Sequence, residues 1–328
     1  MKPAKRLSSF WVFLAWGLNI AGLLGLLGVV TLYLNRKPVQ AAEAPTQALA
    51  NPVLFISPTP VFYYLPTVTP NPLSTPFESL NATPTHFLLP SGKRATIIGL
   101  SAQGRPLEVY TFGQGESERM IVAGIHGGYE GNTIRLADEL ILFLDEHPEA
   151  IPSDVTLYIL RSLNPDGDAR SKDKYGRTNA NGVDLNRNFP VHWLADWDRD
   201  GCWNELPTTS GSGPGSEPET KALMRFLSAH NVEMLISYHS AALGVFPGGE
   251  PWDPDSMVFA EAIAEVSNYP YPPIDTGCVY SGTLADYAVA LGVVAVDMEL
   301  TNHNDTDFDI NLRVLDVLLT WTRPTVTE

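Results

Sequence analysis

The stretch MIVAGIHGGYEGN, residues 120–132, carries an apolar run into a histidine, two glycines and a glutamate. Residues 121–125, apolar apart from one glycine, read as a strand buried on both faces. His126 and Glu130 then stand at the carboxyl end of that strand, the edge where open α/β sheets bind ligands. Glycines let the backbone bend tightly, so an imidazole and a carboxylate four residues apart can turn toward one cation. A solvated histidine followed by a helix-capping glutamate is the plainer reading of the same residues. The rest of the chain decides between the two.

Working outward, residues 95–101 and 107–112 read as short strands around a turn at 103–106. Residues 133–147 form an amphipathic helix with Ile134, Ala137, Ile141 and Leu144 on one face. Further strands are expected at 155–160, 232–238 and 293–298, and helices at 217–229, 256–267 and 282–290. This alternation places the domain in the α/β class, with a mixed, largely parallel twisted sheet flanked by helices. Three of the strands end in His126, His239 and Glu299. Two histidines and one carboxylate, with a fourth position left for water, make an open catalytic zinc set, and a separate carboxylate is needed to take the proton of that water. His126, Glu130 and His239 are the expected ligands and Glu299 the expected base. The other histidines, His86, His147, His192, His230 and His303, sit in ordinary turn, helix-end or loop contexts.

Composition narrows the remaining functions. Among 328 residues, 21 are Lys or Arg and 37 are Asp or Glu, a net charge of −16. Residues 1–85 hold five of the basic groups and two of the acidic ones, so the rest of the chain carries 16 against 35. A surface this acidic excludes nucleic acid as a partner, because phosphate counterions must be replaced by cationic groups. Residues 10–34 are 25 residues without a charge, preceded by Lys2, Lys5 and Arg6. That is long enough to span a bilayer, and it reads as an uncleaved anchor with residues 1–9 in the cytoplasm and the domain outside it; a cleaved signal ending near residue 41 is the competitor. Residues 35–85 are rich in Pro and Thr and read as a semi-rigid stalk, leaving 86–328 as the folded domain. The two cysteines, Cys202 and Cys278, can pair in an oxidising compartment, and the sequence leaves that open.

From residue 95 to residue 300 the chain resembles the carboxypeptidase A-type zinc metallopeptidases. The resemblance rests on the His-and-Glu loop, the Asn-Pro-Asp-Gly run at 164–167, the Asp-Leu-Asn-Arg-Asn run at 184–188, residues 216–220, the Ser-Tyr-His run at 237–239, and Gly282 followed 17 residues later by Glu299. It implies a zinc carboxypeptidase-like fold and a metal-activated water that cleaves C-terminal peptide bonds. It matches His126, Glu130 and His239 with the zinc ligands, Glu299 with the general base, and Asp184 with the carboxylate that orients the first histidine. Arg177 best matches the oxyanion-stabilising guanidinium, with Arg170 in reserve. Asn186 and Arg187 match the pair that grips the terminal carboxylate, a role suited to a planar guanidinium. A plain surface ion pair is the alternative for Arg187.

The chain departs from the family pattern in places. Three residues separate His126 from Glu130 where the family has two. The substrate-capping tyrosine has no exact counterpart, since its position falls on Gly277, and Tyr280 is the nearby candidate. Leu284 falls where the specificity-pocket residue is expected. Outside the resemblance, Asp196, Asp198 and Asp200 followed by Gly201 have calcium-loop spacing, but Pro207 stands where the twelfth-position glutamate belongs. The expected partners are a peptide or cell-wall peptide and, through the N-terminal helix, a membrane. A murein peptide hydrolase of the same fold, an inactive zinc- or peptide-binding module on a stalk, and an enzyme that deacylates N-acyl amino acids are the competing functions.

Overall fold

Among the described residues the polypeptide is organised around one eight-stranded sheet ordered β1-β2-β3-β5-β4-β6-β8-β7. The computed structural model describes residues 87–88, 94–241 and 244–324; the expected anchor at 10–34 and stalk at 35–85 lie outside them. Among the described residues no helix is long and apolar enough to cross a membrane. The strands are β1 (Phe87–Leu88), β2 (Arg94–Leu100), β3 (Pro106–Gly113), β4 (Ser117–Val122), β5 (Val155–Leu160), β6 (Val232–Ser240), β7 (Val245–Pro247) and β8 (Val294–Leu300). The helices are α1 (Gly131–Glu146), α2 (Pro165–Arg170), α3 (Pro218–Ala229), α4 (Pro254–Ser267), α5 (Leu284–Ala290) and α6 (Phe308–Thr320).

The sheet is mixed rather than largely parallel. Only the central block β5-β4-β6-β8 is parallel. β1, β2 and β3 add to it antiparallel on one side and β7 on the other. Connection length explains the difference, since the few residues between β2 and β3 permit only a hairpin, whereas parallel neighbours need a crossover of a dozen residues or more.

The parallel strands are apolar throughout because both of their faces are covered. Ile121, Ile159, Ile236 and Val296 pack on one side with Leu136 and Leu140 of α1 and Val314 and Leu318 of α6. Met120, Leu160, Leu235 and Ala295 pack on the other with Leu223 and Phe226 of α3 and Leu284 of α5. Burying each such side chain contributes about 1.5–3 kcal/mol. Neither α2 nor α6 was expected from the sequence, and β4 ends at Val122, earlier than the apolar run suggests. Gly124, at φ +63°, turns the chain there, and a Cβ on it would meet Ile134 and Ser162 at 2.7 Å. Ala123 and Ile125 remain buried although the ladder has ended.

Candidate metal centre and substrate cleft

The candidate site is assembled at the carboxyl ends of β4, β6 and β8. Past Gly124, His126 precedes a 3-10 turn, Gly127–Glu130, which runs directly into α1. That turn accommodates the three-residue spacer: it brings Glu130 back beside His126, with Oε1 2.7 Å from Nδ1. The two glycines are demanded by crowding, since a Cβ on Gly128 would lie 1.8 Å from the Ser171 carbonyl oxygen and one on Gly127 would lie 2.7 Å from that of Gly176. His239, next to last in β6, places Nδ1 3.3 Å from His126 Nδ1 and 3.3 Å from Glu130 Oε2. All three side chains are buried.

A carboxylate stands behind each imidazole. Asp184 Oδ1 lies 3.1 Å from His126 Nε2, and Asp297 Oδ1 lies 3.5 Å from His239 Nε2. His126 Nε2 meets Asp184, and His239 Nε2 meets the Ser237 hydroxyl at 3.1 Å with Asp297 beyond it, so both Nδ1 atoms face each other and Glu130. Such a convergence of acceptors calls for a cation. The 3.3 Å spacings of His239 Nδ1 from His126 and from Glu130 equal the edge of a tetrahedron, about 3.3 Å, whose centre lies about 2.0–2.1 Å from each ligand atom. Glu130 Oε2 is buried without a hydrogen-bond partner, its approach to His239 lying within ion-pair range but outside hydrogen-bonding geometry. His126, Glu130 and His239 are the one group of this kind among the described residues. The donor set therefore fits zinc.

Charge and burial compete here with different outcomes. Burial alone would raise the Glu130 carboxyl, but the adjacent His126 charge holds it far below its usual range. Burial also opposes ionisation of Asp184, and the Arg177 guanidinium overrides it. Burial disfavours charge on His239, yet Asp297 and then Glu130 push its pKa well up. Glu299, next to last in β8, goes the other way: burial, then the Glu130 charge, raises its carboxyl to about 8. Its Oε2 is buried and unpartnered.

The two candidate arginines are separated by their partners. Arg177 is buried, with Nε donating to Asp184 at 3.0 Å and Nη1 to Glu130 at 3.5 Å, and its guanidinium lies 4.8 Å from the Trp203 ring. Arg170 instead donates to the backbone carbonyls of Tyr175, Thr178 and Asn179, bracing the loop and leaving the site to Arg177. Arg187 is not a surface ion pair: it is 4% exposed. Its Nη1 donates to the Asn186 carbonyl, and no carboxylate among the described residues lies within 4.0 Å of it. Burial depresses its pKa, and the Tyr280 ring covers it at 5.2 Å.

Several of these residues are also tied into the surrounding framework. Asn186 accepts from the Leu284 N–H and donates to Asp297, so its amide ties α5 to β8. Leu284 is buried in the core, and the cleft wall at that point is made by Thr283, Ala285 and Asp286 instead; the helix turns the predicted pocket residue inward. Asn164 caps the Gly167 N–H and donates to the Arg177 carbonyl, while Glu217 and Glu219 accept from Asn179, fixing the segment that carries Arg177 and Arg187. The Asp196, Asp198 and Asp200 stretch does not gather into a cation site. Gly201 presses instead on the backbone of Thr276 and Cys278, and Cys202 is joined to Cys278 by a disulfide, so the loop serves as a tether.

Three residues escaped the sequence reading. Asp297 was signalled by its place two residues before Glu299, on the same strand face. His303 and Trp203 line the cleft from loops whose position depends on tertiary contacts: His303 Nδ1 is 2.9 Å from Ser240 Oγ and its ring is 4.7 Å from that of Tyr129. The cleft has a volume of about 1520 Å³ and is lined by His126, Glu130, Arg177, Arg187, His239 and Glu299 together with Tyr280 and Trp203.

A family profile described as zinc carboxypeptidase matches residues 89–313. The chain is 31% identical over 183 residues to the carboxypeptidase N catalytic chain of Homo sapiens, covering 47% of this chain and 39% of that protein. It is 32% identical over 148 residues to murein peptide amidase A of Escherichia coli (strain K12), covering 43% of this chain and 57% of that protein. It thus spans 39% and 57% of the length of these curated relatives. Among solved structures, murein-tripeptide amidase from Escherichia coli O157 superposes with a TM-score of 0.52 at 24% identity, over 70% of this chain and 93% of that one. Bovine thrombin-activatable fibrinolysis inhibitor, in complex with tick carboxypeptidase inhibitor, gives a TM-score of 0.55 at 21% identity, over 69% and 86%. These two likenesses establish the fold.

Proposed function

Because the chain belongs to the zinc carboxypeptidase family, we propose that it is a metallocarboxypeptidase that releases the C-terminal residue of a peptide. The observation that carries this reading is Arg187, a buried guanidinium in the wall of the cleft with no carboxylate among the described residues within ion-pair distance. Burying an unpaired cation is costly, and a bidentate carboxylate from a substrate terminus would offset that cost.

His126, Glu130 and His239 would hold a zinc ion, which would supply Lewis acidity to a water and to the scissile carbonyl. Asp184 beside His126 Nε2, and Ser237 with Asp297 beside His239 Nε2, orient the two imidazoles so that both Nδ1 atoms face the place where the ion would sit. Glu299 takes the proton of the attacking water and returns it to the leaving amine. Its raised pKa, about 8, suits a group that must do both near neutrality. Arg177, fixed by Asp184 and Glu130, turns its remaining N–H groups toward the oxyanion. Arg187, beside Asn186 and under Tyr280, holds the terminal carboxylate.

A cell-wall peptide as the natural substrate is the second reading, supported by the 32% identity to murein peptide amidase A. We place the domain outside the cytoplasm behind a membrane anchor at 10–34. The uncharged 25-residue segment and the Cys202–Cys278 disulfide, a bond of oxidising compartments, support this. The function is tested by measuring bound metal and assaying linear and cell-wall peptides with and without chelator. Hydrolysis lost on chelation and restored by zinc is expected; hydrolysis indifferent to the chelator contradicts the reading.

A further inference from the structure

The single disulfide joins two loops, and each of those loops covers one of the two functional arginines. Cys202 is followed by Trp203, whose ring lies 4.8 Å from the Arg177 guanidinium. Cys278 is two residues from Tyr280, whose ring lies 5.2 Å from that of Arg187. The backbones are also pressed together, since a Cβ on Gly201 would lie 2.0 Å from the Thr276 carbonyl oxygen and 2.8 Å from the Cys278 nitrogen.

Little else restrains the second loop. Residues 274–280 contain no regular structure and are largely exposed, with Ile274 at 51% and Val279 at 60%. Their backbone N–H bonds among the described residues are local, from Gly277 to Asp275 and from Cys278 to Thr276. Among the described residues the Tyr280 side chain meets the Phe246 ring, the Arg187 guanidinium and, by a hydrogen bond within its own loop, Thr276. An exposed loop of this kind frays at low cost unless it is tied down. Arg177, by contrast, is fixed independently of the loop by Asp184, Glu130 and the backbone contact from Asn164.

We infer that the Cys202–Cys278 disulfide is a positioning device of the substrate cleft, which holds Tyr280 over Arg187 so that the carboxylate pocket is formed before substrate arrives. The inference rests on the proposed function for the identity of the ligand, a peptide with a free C-terminus. A pre-ordered pocket binds more tightly because the loop-ordering cost is already met in the free protein. Losing the tether therefore weakens binding and leaves the chemical step intact, because Glu299 and Arg177 do not depend on it.

The test compares the zinc-loaded parent with a C202S/C278S double variant. The readouts are KM and kcat on a peptide with a free C-terminus, bound zinc, and amide hydrogen exchange of residues 274–281. The expected result is a KM raised about five- to tenfold, the effect of loosening one desolvated cation–π contact, with kcat within about twofold of the parent, zinc content unchanged and faster exchange in 274–281. If the disulfide only stabilises the fold, melting temperature falls while KM stays at the parental value, and the inference is overturned. A drop in kcat that tracks lost zinc also overturns it. Should the double variant not fold, parent enzyme reduced with a phosphine in zinc-containing buffer gives the same comparison. If the intact parent cleaves no peptide, the proposed function fails, and the clamp is still judged separately: unchanged exchange in 274–281 after loss of the disulfide refutes it.

Discussion

His239 on β6 and Glu299 on β8 are register partners in the parallel ladder, and Ser237 and Asp297 are partners two residues earlier. Side chains two apart on a strand share a face, so the ladder sets an imidazole, its supporting carboxylate and the candidate base side by side. No loop has to be ordered to bring Glu299 to the metal centre. Substituting Glu299→Gln is isosteric and leaves the ligands alone. Steady-state kinetics should show kcat reduced by about 10²–10⁴, with zinc content equal to the parent. A variant that keeps more than a tenth of the activity removes Glu299 from the mechanism.

Zinc uptake should release protons. In the ion-free protein, Asp297 and Glu130 favour a charged His239, and burial with the Glu130 charge keeps Glu299 protonated up to about pH 8. A metal ligand must be deprotonated. Calorimetry at pH 7 in buffers of different ionisation enthalpy should therefore report proton release on zinc binding, and affinity that falls as pH is lowered. Binding without proton exchange at pH 7 argues against this ligand set.

The same groups set the pH dependence of the ion-free fold. Glu130 and Asp184 have depressed folded pKa values, so their contribution is present above the unfolded value of about 4 and is lost as pH falls. His239 is raised; its contribution is complete below about 6.5 and fades as pH climbs through the folded value. Glu299, also raised, loses its contribution between about 4.3 and its folded value. Melting temperatures of chelator-treated protein should peak at about pH 4–5 and decline on both sides, and zinc should flatten the alkaline decline. A profile that rises steadily from pH 5 to 9 without zinc contradicts these assignments.

Two neighbouring glycines give a sharper structural check. Gly128→Ala drives a Cβ to 1.8 Å from the Ser171 carbonyl oxygen, whereas at Gly131, in helical conformation at φ −62°, the nearest atoms are 3.9 Å away. Gly131→Ala should be neutral or stabilise by about 0.4–1 kcal/mol through the unfolded chain. Gly128→Ala should destabilise by about 1–3 kcal/mol and weaken zinc binding, because the 3-10 turn that returns Glu130 to His126 is displaced. Equal melting temperatures for the two variants would discredit the packing of this turn.

Local patterns in the sequence carried much of the domain. The apolar strands leading toward His126, His239 and Glu299 were readable because strands buried on both faces need no alternation. The spacing of His126 and Glu130 left open how three residues fit between them, and a 3-10 turn is the answer. What local pattern could not supply was register and tertiary crowding. Asp297 becomes a histidine partner only through the pairing of β6 with β8. Leu284 reads as a pocket residue until the N-terminus of α5 turns it into the core. The three aspartates at 196–200 have a cation-loop spacing, yet the close approach of Gly201 to Thr276 and the disulfide determine their conformation. The sheet was expected to be mixed, but the extent of its antiparallel part was not legible, since the pairing of β3 with β5 and of β7 with β8 is set by tertiary contacts.

The most direct test of the central claim, that Arg187 reads a free C-terminus, is kcat/KM for one peptide presented as the acid and as the C-terminal amide, on parent enzyme and on Arg187→Ala. The account predicts that the parent prefers the acid by about 10²-fold or more, a charge-assisted bidentate contact being worth roughly 3 kcal/mol, and that the variant loses most of this preference mainly through KM. A parent that cleaves acid and amide equally well, or a variant that keeps the full preference, would contradict it.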